Sequence, residues 1–226
     1  MHIKFLITLL FVFSSVTTVI AAEKNLDEAV EAMRAGDFAV AYCIMRPLAD
    51  SGDADAQYNI GWMYLNGYGL RVNDSNALQW WQLASEQGHT DASFSIGMLY
   101  SLGEGKVSKD MNLAVDFYLL AAKEGQEDAI SLLKSMMIRN DKAVLSRLDT
   151  IVSQTGDLLG HKRLVKANKL NVRAGPSIKE KIVTRVVKGQ EVLELHKQGK
   201  WSQVVVQGNS EINRTVWVYS SLLESE

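Results

Sequence analysis

The sequence is short of the residue types that most reactions need: its 226 residues include one cysteine and four histidines. A lone thiol, Cys43, excludes an internal disulfide. Its neighbours Ala41, Tyr42, Ile44 and Met45 read as a helix interior, which predicts a small buried apolar side chain. A catalytic thiol is disfavoured because no histidine lies near it in the sequence. His2 falls in the leader described below, and His89, His161 and His196 stand apart, so neither a zinc-ligand spacing nor a Ser-His-Asp arrangement is visible. Carboxylates are plentiful but scattered over helix surfaces, where solvation is the default. The paired glycines Gly67/Gly69 and Gly103/Gly105 follow no strand and precede no Lys-Ser/Thr pair, which excludes a phosphate-cradling loop. The expectation is a chain that is not an enzyme, with no catalytic residues, no cofactor and no metal.

What the chain has is repetition. Ala56, Ile60, Gly61 and Tyr64 return as Ala92, Ile96, Gly97 and Tyr100, an offset of 36, while Ala77, Trp81, Ala84 and Gly88 return as Ala114, Tyr118, Ala121 and Gly125, an offset of 37. A period in that range marks a stacked helical array. Each residue of a helix turns about 100°, so Ala56, Ile60 and Tyr64 share one stripe, and Ala77, Trp80, Trp81 and Ala84 share another. The glycines at 67 and 103 sit where the first helix of each unit must stop, and those at 88 and 125 end the second. Upstream, Leu26–Met33 and Phe38–Leu48 read as a helix pair split by Gly36-Asp37, a shortened first unit. Downstream, Asp128–Arg139 begins a further unit, and Asp141–Ser153 reads as a capping helix.

Beyond Thr155–Gly160 the period changes from 3.6 to short β-rich runs bounded by glycine. Leu164–Ala167, Lys181–Val187, Glu191–His196, Trp201–Val206 and Thr215–Tyr219 are five such runs, which suggests a small closed barrel. The charge changes at the same place. The formal net charge is −2, but residues 23–160 carry 11 Lys+Arg against 20 Asp+Glu, and residues 161–226 carry 12 against 6. An acidic arm is joined to a basic head. At the other end, Lys4 precedes an uncharged apolar run through Ile20 and then Ala21-Ala22, which reads as a secretory signal with a small-residue cleavage site. A retained membrane anchor is the rival, though the run is short for a span.

The repeated stretch resembles the Sel1-like repeat, a relative of the tetratricopeptide repeat, on the positions above together with Asp74 and Asp110. The second half resembles the bacterial SH3-like domain. The string Leu170-Asn171-Val172-Arg173-Ala174-Gly175-Pro176-Ser177 carries the resemblance, followed in order by Lys188-Gly189, Gly199-Lys200-Trp201 and Trp217-Val218-Tyr219-Ser220-Ser221-Leu222. It departs at Val216, where the family usually has glycine, and in the longer loop Gln207–Arg214. The expected architecture is multidomain: a signal peptide (1–22), an all-α helical-repeat solenoid with a capping helix (23–155), a linker (156–162) and a small all-β SH3-like barrel (163–226).

On the first helices, Trp62 and its equivalent Met98 turn to about 240° from the Ala56 stripe. They are the candidate anchors for a protein partner, the alternative being that they pack against a neighbouring unit. In the head, Arg173, Trp201 and Trp217 match family positions and are the candidate ligand residues. Their alternative role is structural, with the tryptophans packing the barrel and Arg173 bracing its own loop. The resemblance implies a hold on cell-wall peptidoglycan or on a peptide, and the positive head suits an anionic polymer. The reading is a non-catalytic exported adaptor of a bacterial envelope, periplasmic or otherwise secreted. Its repeats would hold a protein such as a wall-remodelling enzyme, with no nucleic acid and no membrane span once the leader is removed. The alternatives are a regulatory subunit without glycan affinity and, last, a wall-peptide hydrolase.

Overall fold

A computed structural model describes residues 26–103, 105–206 and 214–225 of the chain. The leader read in residues 1–22 lies outside them. Residues 26–35 form helix α1, followed by α2 (Phe38–Asp50), α3 (Ala54–Asn66), α4 (Asp74–Glu86), α5 (Thr90–Leu102), α6 (Met111–Lys123), α7 (Glu127–Ile138), α8 (Lys142–Leu145) and α9 (Leu148–Leu159). The chain divides into two compact units, residues 1–109 and 110–226.

In the first unit the repeat chemistry does what its spacing suggests. Asp53 and Asn73 cap α3 and α4 by accepting from the backbone N–H of Ala56 and Asn76, and the His89 ring caps α5 by accepting from Ala92. Each cap satisfies one donor that the first turn would otherwise leave unpaired. Gly67 and Gly103 end α3 and α5 in the left-handed conformation, at φ 73° and 70°, where a Cβ would clash. The core joins Ala29, Met45, Ala49, Ala56, Ile60 and Met63, with Trp80 and Tyr64 packed against it. Helices α3 and α4 pack on Gly61: a Cβ there would lie 2.5 Å from Trp81 Nε1, whose N–H donates to Tyr58 O at 3.1 Å. Cys43 departs from expectation. The thiol is exposed, because the buried stripe of α2 runs through Ala41, Met45 and Ala49, and residue 43 lies about 200° round from Ala41.

The second unit holds α6 to α9 and a seven-stranded antiparallel sheet: β1 (His161–Val165), β2 (Lys169–Arg173), β3 (Ile182–Val187), β4 (Glu191–Gln198), β5 (Trp201–Val206), β6 (Val216–Tyr219) and β7 (Leu223–Ser225), in the order β3-β2-β6-β5-β4-β1-β7. Every strand gives side chains to one core, from Val165 through Val172, Val186, Val192, Val204 and Val218 to Leu223, so the sheet curls around it as a small barrel.

Two boundaries differ from the sequence reading. The single capping helix is two, α8 and α9, and α9 runs on through Thr155 and Gly156 to Leu159. Strand β1 begins at His161, so the stretch 156–162 is helix end and strand start rather than linker. Tertiary burial overrides the local glycine signal: Ile151, Thr155, Gly156 and Leu159 are all buried, and the Thr155 hydroxyl donates to Ile151 O within the helix. Among the described residues there are also seven strands rather than five. Strand β2 went unread because only Leu170 and Val172 turn inward while Asn171 and Arg173 stay partly exposed, and β7 is three residues long.

Candidate partner groove and ligand face

In the first unit, Trp62 lies on the solvent side of α3, 36% exposed. It lines an open groove of about 360 Å³ with Val30, Met33 and Arg34 of α1, Phe38, Asn59 and Tyr68. The groove exists because Tyr68, held between Gly67 and Gly69 after α3, stacks on Phe38 at 4.4 Å between ring centroids and meets the Trp62 ring at 4.9 Å. Met98 stands at the equivalent place on α5 and is 37% exposed, but it does not line this groove. The sequence reading found Trp62 by its angle from the buried stripe. It missed Phe38, Tyr68, Val30 and Met33, although an aromatic between two helix-stop glycines was a usable signal.

In the second unit, strand register places the three ligand candidates on one face. Arg173 of β2 is paired with Trp217 of β6, Trp217 with Gln203 of β5, and Trp201 with Tyr219. Residues 217 and 219, and 201 and 203, share a face because strands alternate, and Val216 and Val218 face the core instead. Trp201 meets Tyr219 edge-on at 5.5 Å. The Arg173 guanidinium donates to Glu180 O at 2.8 Å, so it braces the loop between β2 and β3. That loop also depends on Gly175, where a Cβ would lie 3.0 Å from the Glu180 side chain. Tyr219 and Gln203 are the members of this face that sequence reasoning did not single out.

Further round the barrel the same outer surface is covered by the unit's helices. Gln203, 2% exposed, donates to Ile138 O at 2.8 Å and to the Thr215 hydroxyl at 2.6 Å. Asn140, left-handed at φ 56° just past α7, accepts from Thr215 N at 2.7 Å. Leu193, Leu195 and Val205 are buried but lie outside the barrel's own core. The helix α9 comes close enough that a Cβ on Gly160 would lie 2.4 Å from Glu194 O.

One buried carboxylate anchors this arrangement. Glu194, 4% exposed, accepts from Ser202 Oγ at 2.5 Å and Arg163 Nε at 2.9 Å, with Lys197 Nζ at 3.7 Å. Burial pushes its pKa up, but the Ser202 and Arg163 hydrogen bonds and the two positive charges outweigh burial and hold it below the usual carboxylate value. His161 stands opposite Glu194 in the β1–β4 register, while the carboxylate's hydrogen bonds come from Ser202 and Arg163. His89 is committed to the α5 cap and to Asp55, 3.1 Å from its Nε2. Among the described residues no group of three His, Cys, Asp or Glu side chains could hold a metal ion, and no helix is long and apolar enough to cross a membrane.

Two-helix units in the first part of the chain and a small antiparallel barrel in the second define a class of helical-repeat and barrel modules. Family comparison gives the particular members: residues 54–89 and 90–126 each match the Sel1 repeat, and residues 168–224 match the bacterial SH3 domain. The chain therefore carries two Sel1 repeats and a bacterial SH3 domain, modules generally used for interaction. Among solved structures it is similar to a Sel1 repeat protein from Oxalobacter formigenes, at 24% identity and TM-score 0.48, over 59% of this chain and 58% of that one. It is also similar to a protective antigen of uropathogenic Escherichia coli, at 22% identity and TM-score 0.42, over 53% of this chain and 28% of the other. A third similarity is to cysteine rich protein B of Helicobacter pylori, at 18% identity and TM-score 0.40, over 50% of this chain and 94% of that one. The chain thus spans less than two thirds of the length of the first two. Comparison with curated proteins gives no match.

Proposed function

We propose that this protein is a non-catalytic adaptor of the bacterial envelope, exported by its leader, whose repeats hold a protein partner and whose SH3 domain contacts peptidoglycan or a peptide. The observation that carries the reading is the separation of surfaces. The first unit offers an apolar groove at Trp62, the second an aromatic and cationic face at Arg173, Trp201 and Trp217, and each lies on a module of interaction type. Met98 extends the partner surface along α5. Trp217 and Trp201 supply flat apolar area for a glycan or peptide, and the excess of Lys and Arg in this part of the chain draws an anionic polymer.

The test uses the full mature chain, because the barrel rests on its neighbouring helices. Retention on purified cell-wall sacculi should be clear at low salt, weaken as salt rises, and fall about tenfold in Trp217→Ala. No retention at low salt removes the wall-binding half. In cells, crosslinking should capture an envelope protein whose yield drops in Trp62→Ala and Met98→Ala. In the regulatory alternative the last helices and the barrel, which share polar and apolar contacts, act on one protein without glycan affinity. A partner that is captured equally with and without intact wall, combined with no sacculus binding, would select that alternative.

A further inference from the structure

The chemistry around Trp62 narrows the kind of segment the groove accepts. Resting on the reading of the repeats as a partner-holding surface, we infer that the groove takes a stretch of a protein partner carrying a large apolar side chain flanked by lysine or arginine. Val30, Met33, Phe38, Trp62 and Tyr68 give the groove apolar walls, and its volume of about 360 Å³ suits one such side chain. A glycan fits it poorly, because sugar binding needs free aromatic faces and free polar groups. Here Phe38 stacks on Tyr68 at an interplanar angle of 14°, and Tyr68 in turn meets Trp62. The polar lining is also engaged within the chain: Asn59 Nδ2 donates to Asp55 O at 2.8 Å, and the Arg34 guanidinium is paired with Glu31.

The rim supplies the charge preference. Among the described residues Arg34 is the one charged side chain that lines the groove, and Glu31 pairs with it. Asp27, exposed, lies one turn before Glu31 on α1. Asp55, its side chain 68% exposed even while meeting His89, lies one turn before Asn59 on the face of α3 that carries Trp62. These exposed carboxylates, one helical turn from groove-lining residues of α1 and α3, favour a partner whose cations flank the apolar side chain seated at Trp62. The order recurs in the second repeat, where Asp91, Met98 and Leu102 are exposed at the positions equivalent to Asp55, Trp62 and Asn66. An extended partner therefore meets the same carboxylate-then-apolar pattern twice.

The test is fluorescence anisotropy of the full mature chain with a dye-labelled, end-capped peptide Lys-Lys-Leu-Trp-Lys-Lys at low salt. It is run beside a peptide with Glu in place of every Lys, one with Ser in place of Leu and Trp, and an N-acetylglucosamine oligomer as competitor. The lysine peptide should bind, and Trp62→Ala should weaken it about tenfold. The exposed double change Asp27→Lys with Glu31→Lys should weaken it several-fold, less so at high salt. Equal binding of the glutamate or the serine peptide overturns the inference, as does indifference to Trp62→Ala or displacement by the sugar oligomer. If no peptide binds while Trp62-dependent crosslinking persists in cells, the cationic chemistry is wrong and the partner reading survives. Loss of that crosslinking as well removes both.

Discussion

Glu194 shows how a single side chain can tie one unit together. Its carboxylate joins β4 to Arg163 of β1 and Ser202 of β5, and Ser202 is in turn hydrogen-bonded to Ser220 at 2.7 Å. Because its pKa is lowered in the folded state, the stability it contributes is present above the ordinary carboxylate pKa and is lost as pH falls through the lowered native value. Glu194→Ala should destabilise the second unit by about 2–4 kcal/mol, since it strands a partly buried arginine. Acid melting followed by circular dichroism should show that the variant has lost part of the parent's decline below the ordinary carboxylate pKa. At Gly61 the argument is steric. An added methyl meets the Trp81 ring, so Gly61→Ala should cost about 1–3 kcal/mol, read as a lower denaturant midpoint for the first unit. The sequence repeats glycine at this place, but only the packed helices show that the indole is the reason.

At the scale of elements, the turn after α7 is the clasp between helices and sheet. Asn140 meets two requirements there: it accepts the left-handed φ that ends α7, and its side-chain oxygen receives Thr215 N and lies 3.1 Å from the Thr215 hydroxyl. Asn140→Gly keeps the backbone freedom and removes the clasp, whereas Asn140→Ala removes both. The alanine variant should therefore lose about 1 kcal/mol more than the glycine variant, measured by thermal unfolding of each. Arg147 provides a second tie, pairing with Asp116 and donating to Asn112 Oδ1 at 2.9 Å, which holds the start of α9 against α6. Element existence was legible wherever the apolar period was long, as in α3 to α7. It was not legible in α9, whose Thr155-Gly156 reads locally as a break, nor in β2, where polar residues alternate with the two that enter the core.

For the whole molecule, the consequence is that the SH3 domain is not an independent head on a linker. It shares a compact unit with α6 to α9, and Leu193, Leu195 and Val205 depend on that shared packing for their burial. A chain cut to residues 161–226 should be several kcal/mol less stable than one spanning 110–226, since each fully buried Leu or Val side chain contributes about 1.5–3 kcal/mol. Calorimetry should show the longer piece melting in one transition at higher temperature. A fragment 161–226 that melts at the same temperature as the longer piece would mean that the helix contacts contribute nothing.

The sequence by itself determined the two modules. A period of 36–37 residues built on small and aromatic positions admits a helical stack, and glycine-bounded alternating runs admit a small barrel, because both signals arise from local geometry. The same local geometry marked Trp62 as outward-facing and placed Trp201 and Trp217 on short strands. Only the tertiary structure decided which aromatics surround Trp62, that the Arg173 guanidinium braces its own loop, and that the barrel rests on the last helices instead of hanging from a linker. Those outcomes depend on contacts between residues far apart in the chain, such as Asn140 with Thr215 and Gln203 with Ile138. A hydrophobic period specifies which face of an element is buried and carries no information about which distant side chain will bury it.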